Sequence, residues 1–198
     1  MRAFVNGMDI YYEAEGEGPP ILLLHGNGED HSIFDLLVKD LKKDHKVFSI
    51  DTRGHGKSGK VDSFHYHDMA EDVAALIRGL NIDRPILYGF SDGGITGLIL
   101  ASKYPGMLSG LIASGANLSP KDLKGWFRFI IRVQNIFKRD PLLRLMLDEP
   151  NITDAELRKI DIPAMITVAE KDIVHVSHAE HIANSIPGGN ILVVPKED

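Results

Sequence analysis

Short apolar runs recur along this chain, each followed by a stretch of helical spacing, and that alternation leaves few folds open. Pro20-Ile21-Leu22-Leu23-Leu24 and Lys46-Val47-Phe48-Ser49-Ile50 read as strands buried on both faces. Residues 31–43 between them place Ile33, Leu36, Leu37 and Leu41 at helical spacing, and residues 67–80 do the same with Met69, Val73, Leu76 and Ile77. A strand over 85–90, a helix over 94–104 and strands over 108–113 and 163–168 follow, then a helix over 177–185 and a strand over 190–194. Residues 2–6 and 8–14 form an opening hairpin about Asn6-Gly7, a pair suited to a type I′ turn. Repeated strand–helix units imply an α/β fold: a mostly parallel, doubly wound sheet whose functional loops gather at the carboxyl ends of the strands. Between 118 and 156 the alternation gives way to helices alone. This stretch reads either as a helical lid inserted over that edge or as two ordinary covering helices. Residues 1–198 otherwise make one domain.

Composition narrows the partners. A net charge of −6 argues against nucleic acid or an anionic membrane as the main partner. The absence of cysteine excludes a disulfide scaffold, a thiol nucleophile and a thiolate metal site. The opening residues carry no long apolar segment, and no run of about 18 apolar residues occurs. The expectation is a cytoplasmic protein acting on a small molecule, with no cofactor.

Gly89-Phe90-Ser91-Asp92-Gly93 stands between the strand at 85–90 and the helix at 94–104. A strained turn there would lift the Ser91 hydroxyl above the sheet, with glycine on either side because a Cβ would clash. A serine needs a base and donors for the oxyanion that forms when it attacks a carbonyl. The backbone N–H groups of Asp92, at the helix start, and of Asn27, in His25-Gly26-Asn27-Gly28, are the candidate donors. The competing reading is a glycine-rich structural turn.

With Asp51-Thr52-Arg53-Gly54-His55-Gly56-Lys57-Ser58 and Ala169-Glu170-Lys171-Asp172 falling in order around these two motifs, the chain resembles the α/β-hydrolase family. Gly-Phe-Ser-Asp-Gly-Gly-Ile-Thr, Lys103-Tyr104-Pro105 and Gly115-Ala116-Asn117 are similar to its valacyclovir hydrolase (biphenyl hydrolase-like) branch. The resemblance implies a serine hydrolase cleaving small carboxylic esters, amino-acid esters among them, through an acyl-enzyme on Ser91. Lyase, haloperoxidase-like and C–C hydrolase chemistries share the scaffold, whereas the epoxide and haloalkane branches use aspartate in place of Ser91. The resemblance also implies that Asp172 orients the catalytic histidine, the alternative being a solvated loop aspartate. The Asp92 carboxylate either favours a substrate ammonium group or serves as a helix N-terminal acid.

That histidine is expected after the strand at 190–194, where the sequence reads Pro195-Lys196-Glu197-Asp198 and stops. The expectation is a shortened chain with crippled turnover, or else a binding protein that has shed its base. His175, His178 and His181 read as surface or capping residues, and His25 and His55 as structural ones. The i, i+3 spacing of the three later histidines holds metal ligands poorly, and Arg53 and Lys57 lack a phosphate-loop spacing, so no metal is expected. Trp126, Phe127, Phe129 and Met146 suggest either an apolar substrate roof or lid core. Residues 190–194, lacking a covering helix, would expose apolar area and promote self-association.

Overall fold

The computed structural model describes residues 1–195. Its framework is an eight-stranded sheet built from β1 (Arg2–Val5), β2 (Met8–Glu15), β3 (Pro20–Leu24), β4 (Lys46–Ile50), β5 (Ile86–Phe90), β6 (Gly110–Ser114), β7 (Ala164–Ala169) and β8 (Gly189–Val194). The strands lie in the order β1-β2-β4-β3-β5-β6-β7-β8. β1 and β2 are antiparallel around Asn6 and Gly7, both at positive φ as the primed turn demands. From β4 to β8 every pairing is parallel.

Register separates the faces. Leu22, Leu24, Leu87, Leu111, Ala113, Ile166 and Val168 form the larger core with α2 (Tyr66–Gly79), α3 (Asp92–Lys103) and α7 (Val176–Ser185). Met69, Val73, Leu76 and Ile77 face inward as their spacing predicted. Ile21, Leu23 and Val47 face the other way and are covered by Phe34 and Val38. Here the sequence expectation fails. Residues 31–43 form a 3-10 turn (His31–Phe34) and then α1 (Asp35–Leu41), and the break rotates Ile33, Leu36 and Leu37 outward, at 42%, 76% and 39% exposure. The tighter 3-10 winding shifts the buried face by one residue.

The cover on that second face stops short of β7 and β8. Met165, Leu192 and Val194 lie on it by register and are exposed, as the reading of residues 190–194 anticipated. The stretch between β6 and β7 holds α4 (Gly125–Lys138), α5 (Pro141–Asp148) and the single-turn α6 (Asp154–Leu157). No helix among the described residues is long and apolar enough to cross a membrane.

Candidate active site

β5 ends at Phe90 and α3 starts at Asp92, so one residue turns the chain from sheet to helix. Ser91 sits at φ 50°, ψ −112°. That is close to the first central position of a type II′ turn, at about +60°, −120°, a region glycine tolerates and an L side chain resists. Two bonds hold it there: its N–H donates to the Ser114 carbonyl at 2.7 Å, and its carbonyl accepts from the Ile95 N–H at 3.0 Å. The flanking glycines are sterically required. A Cβ on Gly89 would strike the Gly93 backbone and lie 2.5 Å from the Gly94 nitrogen; one on Gly93 would lie 2.6 Å from the Leu24 carbonyl carbon. The Ser91 hydroxyl has no hydrogen-bond partner among the described residues.

The loop after β3 lies against this turn. A Cβ on Gly26 would come within 3.2 Å of both Ser91 Cβ and Phe90 Cδ1. Two histidines brace the loop. His25 Nε2 accepts from the Thr52 N–H at 3.0 Å and its Nδ1 donates to the Gly26 carbonyl at 2.8 Å. His55 Nε2 accepts from the Gly28 N–H at 3.2 Å while its Nδ1 faces the Arg53 carbonyl at 3.0 Å. These partners assign both rings to the neutral Nδ1–H tautomer. Burial agrees, pushing His25 down to about 4 and lowering His55. Both are struts, as the sequence suggested, and neither is free to serve Ser91. The amide of Asp92 is among the first N–H groups of α3, which lack intrahelical acceptors. Neither it nor the Asn27 backbone N–H donates to a protein acceptor among the described residues.

The Asp92 carboxylate does something the sequence did not reveal. It is buried, with Oδ1 accepting from the Tyr66 hydroxyl at 2.8 Å and Oδ2 from the Asn27 side-chain amide at 2.9 Å. It therefore ties α2, α3 and the loop after β3 together directly behind Ser91. Burial raises it to about 6, against the lowering pull of those two donors. The same Asn27 amide reaches the Leu142 carbonyl at 3.4 Å, so α5 touches this cluster.

Asp172 lies in the loop after β7. Its Oδ1 accepts from the Val174 N–H at 3.3 Å, and its Oδ2 faces Gly115, where a Cβ would stand 3.4 Å away. Gly115 follows the Ser114 carbonyl that holds the Ser91 N–H, so Asp172 is one strand removed from the turn. The later histidines are committed elsewhere. His178 Nε2 accepts from the Leu118 N–H at 3.2 Å with its Nδ1 3.5 Å from Asp122, and His181 pairs with Asp154 at 2.9 Å. Both tie α7 to the helical stretch after β6. Exposed His175 caps α7 without a side-chain bond to it. No imidazole among the described residues bridges Asp172 and Ser91, and the point where one was expected lies outside the described residues.

Trp126 and Phe129 are 58% and 69% exposed on α4, so they are not packed in a lid core. Only Ile131 of α4 is buried. Met146 is half-buried on α5. A cavity of about 410 Å³ opens beneath α5, lined by Phe64, His65, Arg139, Leu145 and Glu149 among others. Ser91 is half-buried, beside the 37%-exposed Phe90.

Two further charged groups are structural. Arg53 forms a two-point pair with Asp72 at 2.7 Å for each bond, which leaves it no phosphate role. Asp30, His31 and Asp51 come together unforeseen, but His31 already donates its Nδ1–H to Asp51 Oδ1 at 2.7 Å, and Lys57 N–H takes Oδ2 at 2.8 Å.

Residues 19–134 match the family model described as alpha/beta hydrolase fold. The chain belongs to that family. It is 30% identical over 230 residues to serine hydrolase BPHL of Homo sapiens, spanning 98% of this chain and 78% of the relative. It is 35% identical over 93 residues to 3-oxoadipate enol-lactonase 1 of Acinetobacter baylyi, covering 47% of this chain and 35% of that one. Among solved structures, an enol-lactonase from Burkholderia xenovorans superposes with TM-score 0.81 at 21% identity, covering 98% of this chain and 91% of that one. An α/β hydrolase from a deep-sea metagenome library gives 0.85 at 19%, covering 98% and 89%. This α/β hydrolase is accordingly a hydrolytic enzyme by family.

Proposed function

We propose that this α/β hydrolase cleaves small carboxylic esters through an acyl-enzyme on Ser91. The observation that carries the reading is Ser91 itself: a side chain in glycine's territory of φ/ψ, with an unpartnered hydroxyl, packed against the Gly26-Asn27 loop. Attack of Oγ on the ester carbonyl forms a tetrahedral oxyanion, which the N–H groups of Asn27 and Asp92 would receive. Collapse expels the alcohol and leaves the acyl group on Ser91, which water then removes. The names of the relatives, a serine hydrolase and enol-lactonases, whose lactones are cyclic esters, support this chemistry. Asp172 would orient an imidazole between itself and Ser91 and stabilise its charge. The helices at 118–156 act as the lid, with α5 tied to the site through Leu142 and Asn27.

The oxyanion donors and binding alone are worth roughly 10³–10⁴-fold over the uncatalysed reaction. That the Ser91 hydroxyl touches no base among the described residues favours a second reading, a protein that binds small esters without turnover. Hydrolysis of p-nitrophenyl acetate by the chain and by Ser91→Ala, with fluorophosphonate labelling read by mass spectrometry, separates them. Acylation at residue 91 and a rate above that of Ser91→Ala support the hydrolase. Equal rates with no label support binding alone, and a tail carrying a histidine should raise the rate only under the first reading.

Asp92 gives a finer expectation. Its carboxylate is buried, with one oxygen held by Tyr66 and the other by Asn27, which keeps it from a substrate ammonium group, so Asp92→Asn should leave the ratio of rates on an α-amino ester and its des-amino analogue unchanged.

A further inference from the structure

We propose that α4 is an interfacial helix that seats this protein on an anionic phospholipid surface. Trp126, Phe129, Ile130, Val133, Ile136 and Phe137 are exposed, at 58%, 69%, 42%, 36%, 68% and 82%. At about 100° per residue these six fall within an arc of roughly 120°, a continuous apolar stripe turned to solvent. Of the fourteen residues of α4 only Ile131 is buried. The helix packs chiefly on α5, and it stands proud of the fold instead of lining a groove.

Charge decides what the stripe fits. The chain carries a net charge of −6, yet residues 124–139 hold Lys124, Arg128, Arg132, Lys138 and Arg139 with no Asp or Glu. Arg128 and Arg132 lie together on the flank of the stripe, by the same rotation of about 100° per residue, and Arg139 follows at the left-handed C-cap. A convex apolar band bordered by cations matches a headgroup region: aromatic and aliphatic side chains enter the acyl boundary while the guanidinium groups meet phosphate. A second copy meets this surface poorly, because a self-complementary contact would bring the flanking arginines of the two copies together. A peptide partner of helical or extended form seeks a groove, which this face does not offer. The device differs from a spanning segment, since the helix lies in the interface plane. Docking α4 would also be transmitted through Arg139 and Asp140 to α5, whose Leu142 carbonyl touches Asn27.

Trp126 is the only tryptophan of the chain, so its emission reports on the stripe directly. The test mixes the full chain with vesicles of phosphatidylcholine, with and without phosphatidylglycerol, and reads Trp126 emission together with co-sedimentation. The expected result is a blue shift and pelleting with the anionic vesicles, reversed by salt. Arg128→Gln/Arg132→Gln should weaken binding about 25-fold, from about fivefold per cation near an anionic surface. Phe129→Ser/Phe137→Ser should abolish it with the circular dichroism spectrum unchanged; should that variant unfold, the arginine pair and the salt titration decide alone. The proposal falls if neither vesicle changes emission or pellets the protein, or if binding ignores both salt and the arginine variant. It falls equally if concentration-dependent dimerisation or polyglutamate, and not lipid, alters the Trp126 signal.

Discussion

Replacing Ser91 by glycine should make this protein more stable, although it deletes the proposed nucleophile. At φ 50°, ψ −112° the serine occupies conformational space where a Cβ costs about 1–3 kcal/mol. Glycine removes that strain and adds back about 0.5–1 kcal/mol of unfolded-state entropy. The hydroxyl holds no partner among the described residues, so its loss is nearly free. Alanine keeps the Cβ and should stay within about 0.5 kcal/mol of the native chain. The expected order is therefore glycine above alanine by about 1 kcal/mol, a rise of roughly 2–4 °C for a chain of this size. Urea unfolding followed by circular dichroism at constant m measures it. At an unstrained position glycine is the less stable of the two, so a Ser91→Gly variant at or below Ser91→Ala would refute the claim that backbone strain is stored at residue 91.

Further outcomes follow from the same contacts. Gly93→Ala should cost more than about 3 kcal/mol or prevent folding, because its Cβ meets the β3 backbone at Leu24 and neither element can move; soluble, native-like protein would contradict this. His178→Ala should cost about 1 kcal/mol and raise amide exchange across residues 118–123, since it frees the Leu118 N–H; unchanged exchange would show that the tie is weak. The pH dependence involves two opposed groups. Asp92, raised to about 6, contributes stability that is full below its unfolded value of about 3.9 and lost as pH rises through about 6. His25, lowered to about 4, contributes stability that is full above about 6.5 and lost as pH falls through about 4. The two offset each other between about pH 4 and 6, each with about 3 kcal/mol at stake. Asp92→Asn should therefore fall in stability on acidification by about that amount more steeply than the native chain; parallel curves would refute the assignment of Asp92.

A net charge hides local charge. The value of −6 argues against an anionic membrane partner for the chain as a whole, but it averages over a segment, residues 124–139, without a single acidic residue. Which apolar residues of 126–137 point outward was equally unreadable, since a stripe at helical spacing looks the same whether it faces a core or solvent. Residues 31–43 failed for a related reason: one 3-10 turn exchanged Ile33, Leu36 and Leu37 for Phe34 and Val38 at the core.

The order of elements, the parallel sheet and the turn at Ser91 were written locally, because apolar runs, helical periods and obligatory glycines act over a few neighbouring residues. Gly89 and Gly93 belong to that class; their neighbours leave no volume for a methyl group whatever the rest of the chain does. The partners of side chains distant in sequence belong to the other. That Asp92 would clamp Asn27 to Tyr66, that His25 and His55 would brace one loop as neutral rings, and that His178 would hold Leu118 all required the sheet to bring loops from separate strands together at one edge. Those contacts depend on register and on burial from water, which pattern along the chain does not encode and only the assembled tertiary structure supplies.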